Sequence, residues 1–200
     1  MIQLCRRTYH LRAAVNVERE VEVMHNICFP CGDVLVLEMR YRAVSDAERL
    51  FGALIVRIGG SVFGNIDDLS PLDIHIDGCA ELLGVNLRNE RLYRRSAAEV
   101  FGLVWAPLYI RTQSESEARR ATRRVEKYAH HYLSTAFGPS LDQVRMIGVE
   151  GDSGFRLLVS TGLAHDIRCK DVILERREWR RALQEIVEWY ENIRSSRSSQ

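Results

Sequence analysis

The sequence lacks long apolar runs, an apolar leader and an excess of charge of one sign. Its apolar runs fall far short of the roughly 18 residues that a membrane-spanning helix needs, and no apolar segment follows the first methionine. The 28 Lys and Arg residues nearly balance the 27 Asp and Glu residues, which leaves a formal charge of +1. Because no global field selects a polyanion, we expect neither nucleic acid nor a membrane as the partner. From the missing apolar leader and the odd number of cysteines we expect a cytoplasmic protein.

The sequence also lacks a complete metal site and a paired set of cysteines. Its five cysteines are odd in number, which favours reduced thiols over a disulfide framework. His25, Cys28 and Cys31 form a compact cluster, but a structural zinc needs four ligands and no second Cys-x-x-Cys pair exists. We interpret the cluster as a loop with buried thiols, with metal binding and redox chemistry as the alternatives. We expect no metal and no cofactor.

The segment 151–154 reads Gly-Asp-Ser-Gly, which matches the residues around the nucleophile of trypsin-like serine proteases. Such an enzyme needs a histidine and an aspartate held against the serine, and the chain has no Ala-Ala-His-Cys element. The segment separates two strand-like runs and has the composition of a tight hairpin connection. We therefore assign Ser153 to a turn.

Strand-like patterns lie in the first and last thirds of the chain. Residues 13–23 alternate, and residues 34–41 and 53–58 are aliphatic and β-branched between polar turn formers. These runs predict a mostly antiparallel N-terminal sheet. Three further strand-like segments follow downstream, with the sequences QVRMIGVE, FRLLVS and IRCKDVIL.

Helices are indicated by caps and by apolar periodicity. Ser70, with Pro71 at the first helical position, predicts a helix start, although Gly78 restricts the expected short helix to residues near 76–83. The C-terminal helix shows one apolar stripe. It consists of Trp179, Leu183, Ile186, Val187, Tyr190 and Ile193.

A long central helix is predicted from Ser114, which forms a capping box with Glu117, to the stop signal at residues 138–139. The whole pattern predicts an α+β protein, in which this helix and the amphipathic C-terminal helix pack on a mostly antiparallel sheet. We expect one domain over residues 1–194 and a disordered polar tail over residues 195–200.

The histidines do not form a recognisable catalytic or metal site. His130 and His131 are adjacent in the predicted long helix, and neighbours in a helix project about 100° apart. We interpret one as packed and the other as solvated. A hydrolase that uses His130 or His131 with an acidic partner is an alternative. His75 and His165 have no recognisable nucleophile beside them.

Two segments carry local charge. Between Ile58 and Leu87 the chain has no Lys or Arg but has five acids: Asp67, Asp68, Asp73, Asp77 and Glu81. The spacing of Asp67 and Asp68 does not match a calcium loop. The predicted long helix is basic, but glutamates interleave with its arginines, which favours a solvated face over a phosphate-binding one.

Two segments carry a family resemblance. Residues 51–84 combine a strand, a glycine turn, a Phe-Gly-Asn step, an acidic stretch and a Pro-Leu-led helix, and residues from about 140 to 193 add strands and a Trp-containing helix. In this order they resemble the immunity proteins of bacterial polymorphic-toxin systems, most closely immunity protein family forty-two. The resemblance implies a small cytosolic α+β protein without catalytic residues that neutralises one cognate toxin domain.

On this resemblance we expect stoichiometric occlusion of the toxin. The acidic segment would meet a basic toxin surface, and apolar residues among the acids would act as anchors. The expected toxin-binding residues are Phe63, Ile66, Asp67, Asp68, Leu69, Asp73 and Asp77. Core packing is the alternative for the apolar residues. A non-catalytic regulatory or scaffold module is the alternative function.

We predict that Ser153→Ala leaves toxin neutralisation intact and changes the free energy of unfolding by no more than about 0.5 kcal/mol, because a turn serine on the surface contributes little. Urea denaturation and a neutralisation assay measure the two quantities. A large loss of activity in the folded variant would contradict the non-enzymatic interpretation.

Overall fold

The computed structural model describes residues 24–43, 49–109, 114–161 and 168–198. Within these residues the chain forms six α-helices and two antiparallel sheets, which confirms the predicted α+β class. The strand predicted over residues 13–23 lies outside the described residues.

The first sheet has the strand order β1-β2-β3-β4, and β5 pairs with the start of β3. Its strands are β1 (His25–Cys31), β2 (Leu35–Ala43), β3 (Leu50–Ile58), β4 (Ser61–Phe63) and β5 (Ser70–Pro71). The strands predicted over 34–41 and 53–58 are confirmed as antiparallel neighbours. Leu35, Leu37 and Met39 alternate along β2 and are fully buried, as expected of a sheet with one face on the core.

The loop predicted around Cys28 and Cys31 is wrong, because this segment is the edge strand β1. Alternate residues of a strand point to opposite faces, so residues three apart do as well. Cys31 is buried in the core and Cys28 is exposed. The two thiols therefore do not form one buried cluster.

The second sheet is a meander of β6 (Val144–Gly151), β7 (Gly154–Thr161) and β8 (Arg168–Leu174). Asp152 and Ser153 form the exposed two-residue turn between β6 and β7, and Gly151 pairs with Gly154 across it. The assignment of Ser153 to a hairpin turn is confirmed. Every residue of β6 is buried, which shows that this sheet is covered on both faces.

The helices pack around these sheets. They are α1 (Leu72–Gly84), α2 (Glu90–Tyr93), α3 (Ala97–Val104), α4 (Ala106–Tyr109), α5 (Glu115–Tyr128) and α6 (Arg176–Ser198). Helix α1 starts four residues earlier than predicted. Pro71 occupies the N-cap position, and Ser70 does not cap the helix, because its hydroxyl lies 2.8 Å from Nε2 of His75 instead.

Helix α5 starts as predicted, with the Ser114 hydroxyl accepting a hydrogen bond from the Glu117 amide. It ends at Tyr128 rather than near residue 137, and short 3₁₀ turns follow. The chain must turn there because the Leu133 amide donates to the Met146 carbonyl of β6. No residue of α5 is fully buried, so the long helix lies at the surface rather than in a central position.

Helix α6 continues to Ser198, beyond the boundary predicted at residue 194. The hydroxyls of Ser195 and Ser196 donate to the carbonyls of Glu191 and Asn192, which keeps these serines within the helical hydrogen-bonding pattern. The expected disorder from residue 195 is therefore wrong for residues 195–198.

A shared core joins the first sheet, α1, α6 and one face of the second sheet. At its centre the fully buried Trp179 of α6 stacks on Phe155 of β7, with ring centroids 4.6 Å apart. The other face of the second sheet, including Ile147 and Leu158, packs against Phe101 and its neighbours from α2 and α3. The C-terminal helix thus packs between sheets, as its apolar stripe indicates.

Gly78 and Gly102 both lie in helices, but they differ in the space around them. A Cβ at Gly78 of α1 would overlap the Ala136 carbonyl, whereas a Cβ at Gly102 of α3 meets nothing within 4 Å. We expect Gly78→Ala to lower the free energy of unfolding by about 1–3 kcal/mol, because the backbone must move. Gly102→Ala raises it by up to about 1 kcal/mol through helix propensity. Urea denaturation measures both, and equal effects of the two substitutions would contradict the packing argument.

Candidate functional site

The exposed face of α1 carries a row of carboxylates that we call the acidic stripe: Asp73, Asp77 and Glu81. They are four residues apart, so they share one face of the helix. The opposite face anchors the helix in the core. Its buried residues are Leu72, His75, Ile76, Gly78, Cys79 and Leu82.

The predicted apolar anchors divide into accessible and buried residues. Phe63 is 6% exposed and belongs to the core, so its predicted role as a surface anchor is wrong. Its burial follows from β4, where it pairs with Val56 of the central strand β3. Ile66 and Leu69 are half-buried. Ile74, which the sequence reasoning missed, is 44% exposed beside the acidic stripe.

Asp67 and Asp68 lie exposed in the loop that leads through β5 into α1. Asn65 organises this loop: its side-chain amide donates to Asp68 Oδ2 at 2.9 Å and its Oδ1 accepts from the Asp67 amide at 3.1 Å. The Asn65 amide in turn donates to the Ser140 carbonyl. The loop therefore holds both carboxylates on the surface ahead of the acidic stripe.

Tyr190 of α6 is influenced by charges of both signs. Burial raises the pKa of Tyr190, and the negative charges of Asp73 and Asp77 raise it further, whereas the positive charges of Arg194 and Arg49 oppose this shift. Helices α1 and α6 contribute to one core. The acids of α1 are therefore not electrostatically isolated from the arginines of other segments.

The histidine candidates are inaccessible or structural. His131 is fully buried, and its Nδ1 donates to the Gly148 carbonyl at 2.9 Å. Burial lowers the pKa of His131 to about 4. His130 is exposed, and the two rings lie 4.1 Å apart. The interpretation of one packed and one solvated histidine is confirmed, and His131 cannot contact a substrate from this position.

The prediction that no nucleophile lies beside His75 is wrong, because the Ser70 hydroxyl contacts it. Its Nδ1 donates to the Phe137 carbonyl, so its Nε2 accepts from the Ser70 hydroxyl at 2.8 Å. Both side chains are buried, and burial lowers the pKa of His75. The pair links β5, α1 and the turn at Phe137, which is a structural role. His165 lies outside the described residues.

The thiols of the described residues differ in their exposure. Burial raises the pKa values of Cys31 and Cys79 to about 12, so both are protonated thiols at neutral pH. Among the described residues, no group of three or more His, Cys, Asp or Glu side chains is placed to hold a metal ion. No helix within the described ranges is long and apolar enough to cross a membrane.

Helix α5 carries the basic residues noted in the sequence. Its cationic side chains are exposed and occupy the side opposite its half-buried residues Ala118, Ala121, Val125 and Tyr128. Glu115 pairs with Arg119 at 2.5 Å. The arrangement is that of a surface helix with a solvated charged face. The basic residues are Arg119, Arg120, Arg123, Arg124 and Lys127.

The fold and the surface define an α+β protein whose helix α1 presents carboxylates to solvent. The chain belongs to the immunity protein 42 family, whose sequence model, described as Immunity protein 42, matches residues 33–189. No curated protein and no solved structure matches the chain. The matched range also includes the residues between 84 and about 140, which separate the two segments that carry the resemblance. Membership supports an immunity role with a toxin protein as partner, in a family that is generally non-catalytic.

The buried His131 generates a prediction on pH. Its pKa is 6.5 when solvated and about 4 in the folded protein, so the unfolded chain binds a proton in this range that the folded protein does not. The free energy of unfolding therefore falls as pH decreases from 6.5 to about 4, by roughly 2–3 kcal/mol from this residue. His75 contributes in the same direction.

His131→Asn removes this titration and keeps a donor for the Gly148 carbonyl. We expect it to flatten the dependence of the unfolding free energy on pH, measured by urea denaturation between pH 4 and 7. His130→Asn, on the exposed neighbour, serves as the control and retains most of the slope. An unaltered slope in His131→Asn would show that His131 is not buried as a neutral side chain.

Proposed function

We propose that the protein neutralises one cognate toxin domain by stoichiometric binding, with the acidic stripe of α1 facing a basic surface around the toxin's active site. The observation that carries this proposal is the position of three acids on one helix face, with Asp77 and Glu81 exposed and Asp73 half-buried. Membership of the immunity protein 42 family supports a toxin as the partner. In this role the protein acts by occlusion and performs no chemistry.

Electrostatic attraction explains how such a face would act. Opposite potentials on two surfaces raise the association rate above the roughly 10⁵–10⁶ M⁻¹s⁻¹ of uncharged partners. Asp67 and Asp68, on the loop ahead of the helix, extend the negative surface. Exposed carboxylates lower the stability of the free protein only slightly, because they remain solvated there. They accelerate encounter more than they slow dissociation.

Apolar contacts would slow the dissociation of the complex. Ile74 is the exposed apolar residue on this face, and Ile66 and Leu69 contribute their half-buried side chains. A large part of a binding free energy comes from a few desolvated residues near the centre of an interface. Ile74 would take this position in the proposed interface, since it lies in the chain between the loop and Asp77 and Glu81.

The proposed place of action is the cytoplasm. The four cysteines in the described residues are free, as expected of a reducing compartment. A regulatory or scaffold module is the alternative function. The gene that lies beside this one distinguishes the immunity role from the scaffold role. An immunity protein requires a toxin-domain gene beside its own, whereas a scaffold does not.

The test requires a toxin domain encoded by a gene adjacent to this one. We expect the triple variant Asp73→Asn, Asp77→Asn, Glu81→Gln to slow association about tenfold in 0.01 M salt and to have little effect in 1 M salt, because the Debye length falls from about 30 Å to about 3 Å. Stopped-flow kinetics measures the rates, and thermal melts measure stability. Asp73 lies in the first turn of α1, so its loss costs about 0.3–1 kcal/mol of helix stabilisation.

The matched control removes three exposed acids elsewhere: Asp33→Asn, Glu126→Gln and Glu175→Gln. It changes the net charge by the same amount and leaves the acidic stripe intact. Equal slowing by both triple variants would show that net charge, and not this face, steers the toxin. Absence of any complex with the wild-type protein would contradict the proposed function itself.

A further inference from the structure

A groove of about 400 Å³ opens where the last turns of α6 cross the edge of the first sheet. Its apolar lining comes from Leu50, Trp189 and Ile193, and Tyr41 and His25 add aromatic surface. A volume near the lower end of the roughly 300–1,000 Å³ of small-molecule pockets fits one large side chain. All of these residues lie in the described part of the chain.

The aromatic wall of the groove is held in place by its own contacts. The rings of Tyr41 and Trp189 meet edge to face with centroids 5.0 Å apart, and His25 stacks on Tyr41 at 5.2 Å. Trp189 also contacts the buried Phe29, at 5.9 Å. A ring held on several sides loses little conformational freedom when a partner binds. The groove is therefore formed before any ligand arrives.

One cationic side chain lies at the opening. Arg197 is part of the lining and is exposed near the end of α6. Asn192 and Ser196 complete the polar side of the lining. Helix α6 packs in the same core as α1, which carries the acidic stripe. The groove therefore has an apolar floor and a cation at its rim.

We propose that this groove accepts an aromatic or branched apolar side chain of the toxin that lies next to a carboxylate. The inference rests on the proposed function and adds the anchoring site that the buried Phe63 does not provide. The apolar floor selects the side chain, and the rim selects the adjacent negative charge. Trp, Tyr and Arg, the residue types most enriched among interface hot spots, all line the groove.

The first arm of the test uses small probes and needs no toxin. We expect 3-phenylpropionate to shift the indole NMR signal of Trp189 and not that of the buried Trp179. The matched amine, 3-phenylpropylamine, binds at least fivefold more weakly to the wild-type protein. Arg197→Gln narrows this difference. Equal binding of acid and amine would contradict the cationic selectivity, and the absence of any shift at Trp189 would contradict the site.

The second arm measures dissociation of the toxin complex. Ser196 lines the groove from an exposed position on α6, so Ser196→Phe fills the groove without removing a packing residue. We expect it, like Trp189→Ala, to raise the dissociation rate about 30-fold, as expected of a hot-spot contact. Ile173→Ala, at a residue 60% exposed on the distant strand β8, is the control and leaves the rate unchanged.

The two proposals fail in different ways. If wild-type protein binds toxin and Ser196→Phe dissociates at the wild-type rate, the groove proposal is overturned and the proposed function stands. If wild-type protein binds no toxin, the proposed function fails, and the toxin assignment of the groove fails with it. If sedimentation shows a wild-type dimer that Ser196→Phe abolishes, a second copy of the chain occupies the groove, which overturns the inference.

Discussion

The exposed surface depends on the close approach of α1 to the turn that contains Ala136 and Phe137. Because Gly78 has no side chain, the helix backbone rests against the Ala136 carbonyl. One turn earlier, His75 binds the Phe137 carbonyl and the Ser70 hydroxyl. The first contact sets the depth of the helix and the second sets its rotation about its own axis. This rotation points the acidic stripe outward, so a structural histidine and a glycine determine where the charge lies.

Local patterns predicted the elements whose structure depends on neighbours in sequence. The hairpin at residues 151–154 and the strands over 34–41 and 53–58 are of this kind. The errors occur where pairing with another segment decides the structure. Residues 25–31 form a strand because they pair with β2 across the turn at residues 32–34, and the Leu133 amide, just beyond the end of α5, donates to the backbone of β6. Neither pairing leaves a signal within the segment that it shapes.

The residues of the candidate site also divide into those that local sequence predicts and those whose position depends on contacts with other segments. Asp77 and Glu81 lie in the helix predicted near residues 76–83, but Asp73 joins them on one face only because α1 starts at Leu72. The burial of Phe63 follows from its register against Val56, which no local pattern shows. Arg49 and Arg194, whose charges both act on Tyr190, come from the residue before β3 and from α6, more than a hundred residues apart in the chain. The charge of a segment can be predicted from its sequence, but the charged residues that lie near it in the fold cannot.

A face that carries both signs of charge constrains how a partner binds. The acidic stripe lies on α1, and α6, which packs in the same core, carries the exposed Arg194 and Arg197, although the chain as a whole has a formal charge of only +1. A uniformly basic partner would be attracted at one end and repelled at the other. Only a surface with the complementary alternation avoids this cost, so the charges determine orientation and partner choice while an apolar anchor supplies the affinity. Discrimination among related toxins then requires no change in the core that holds α1.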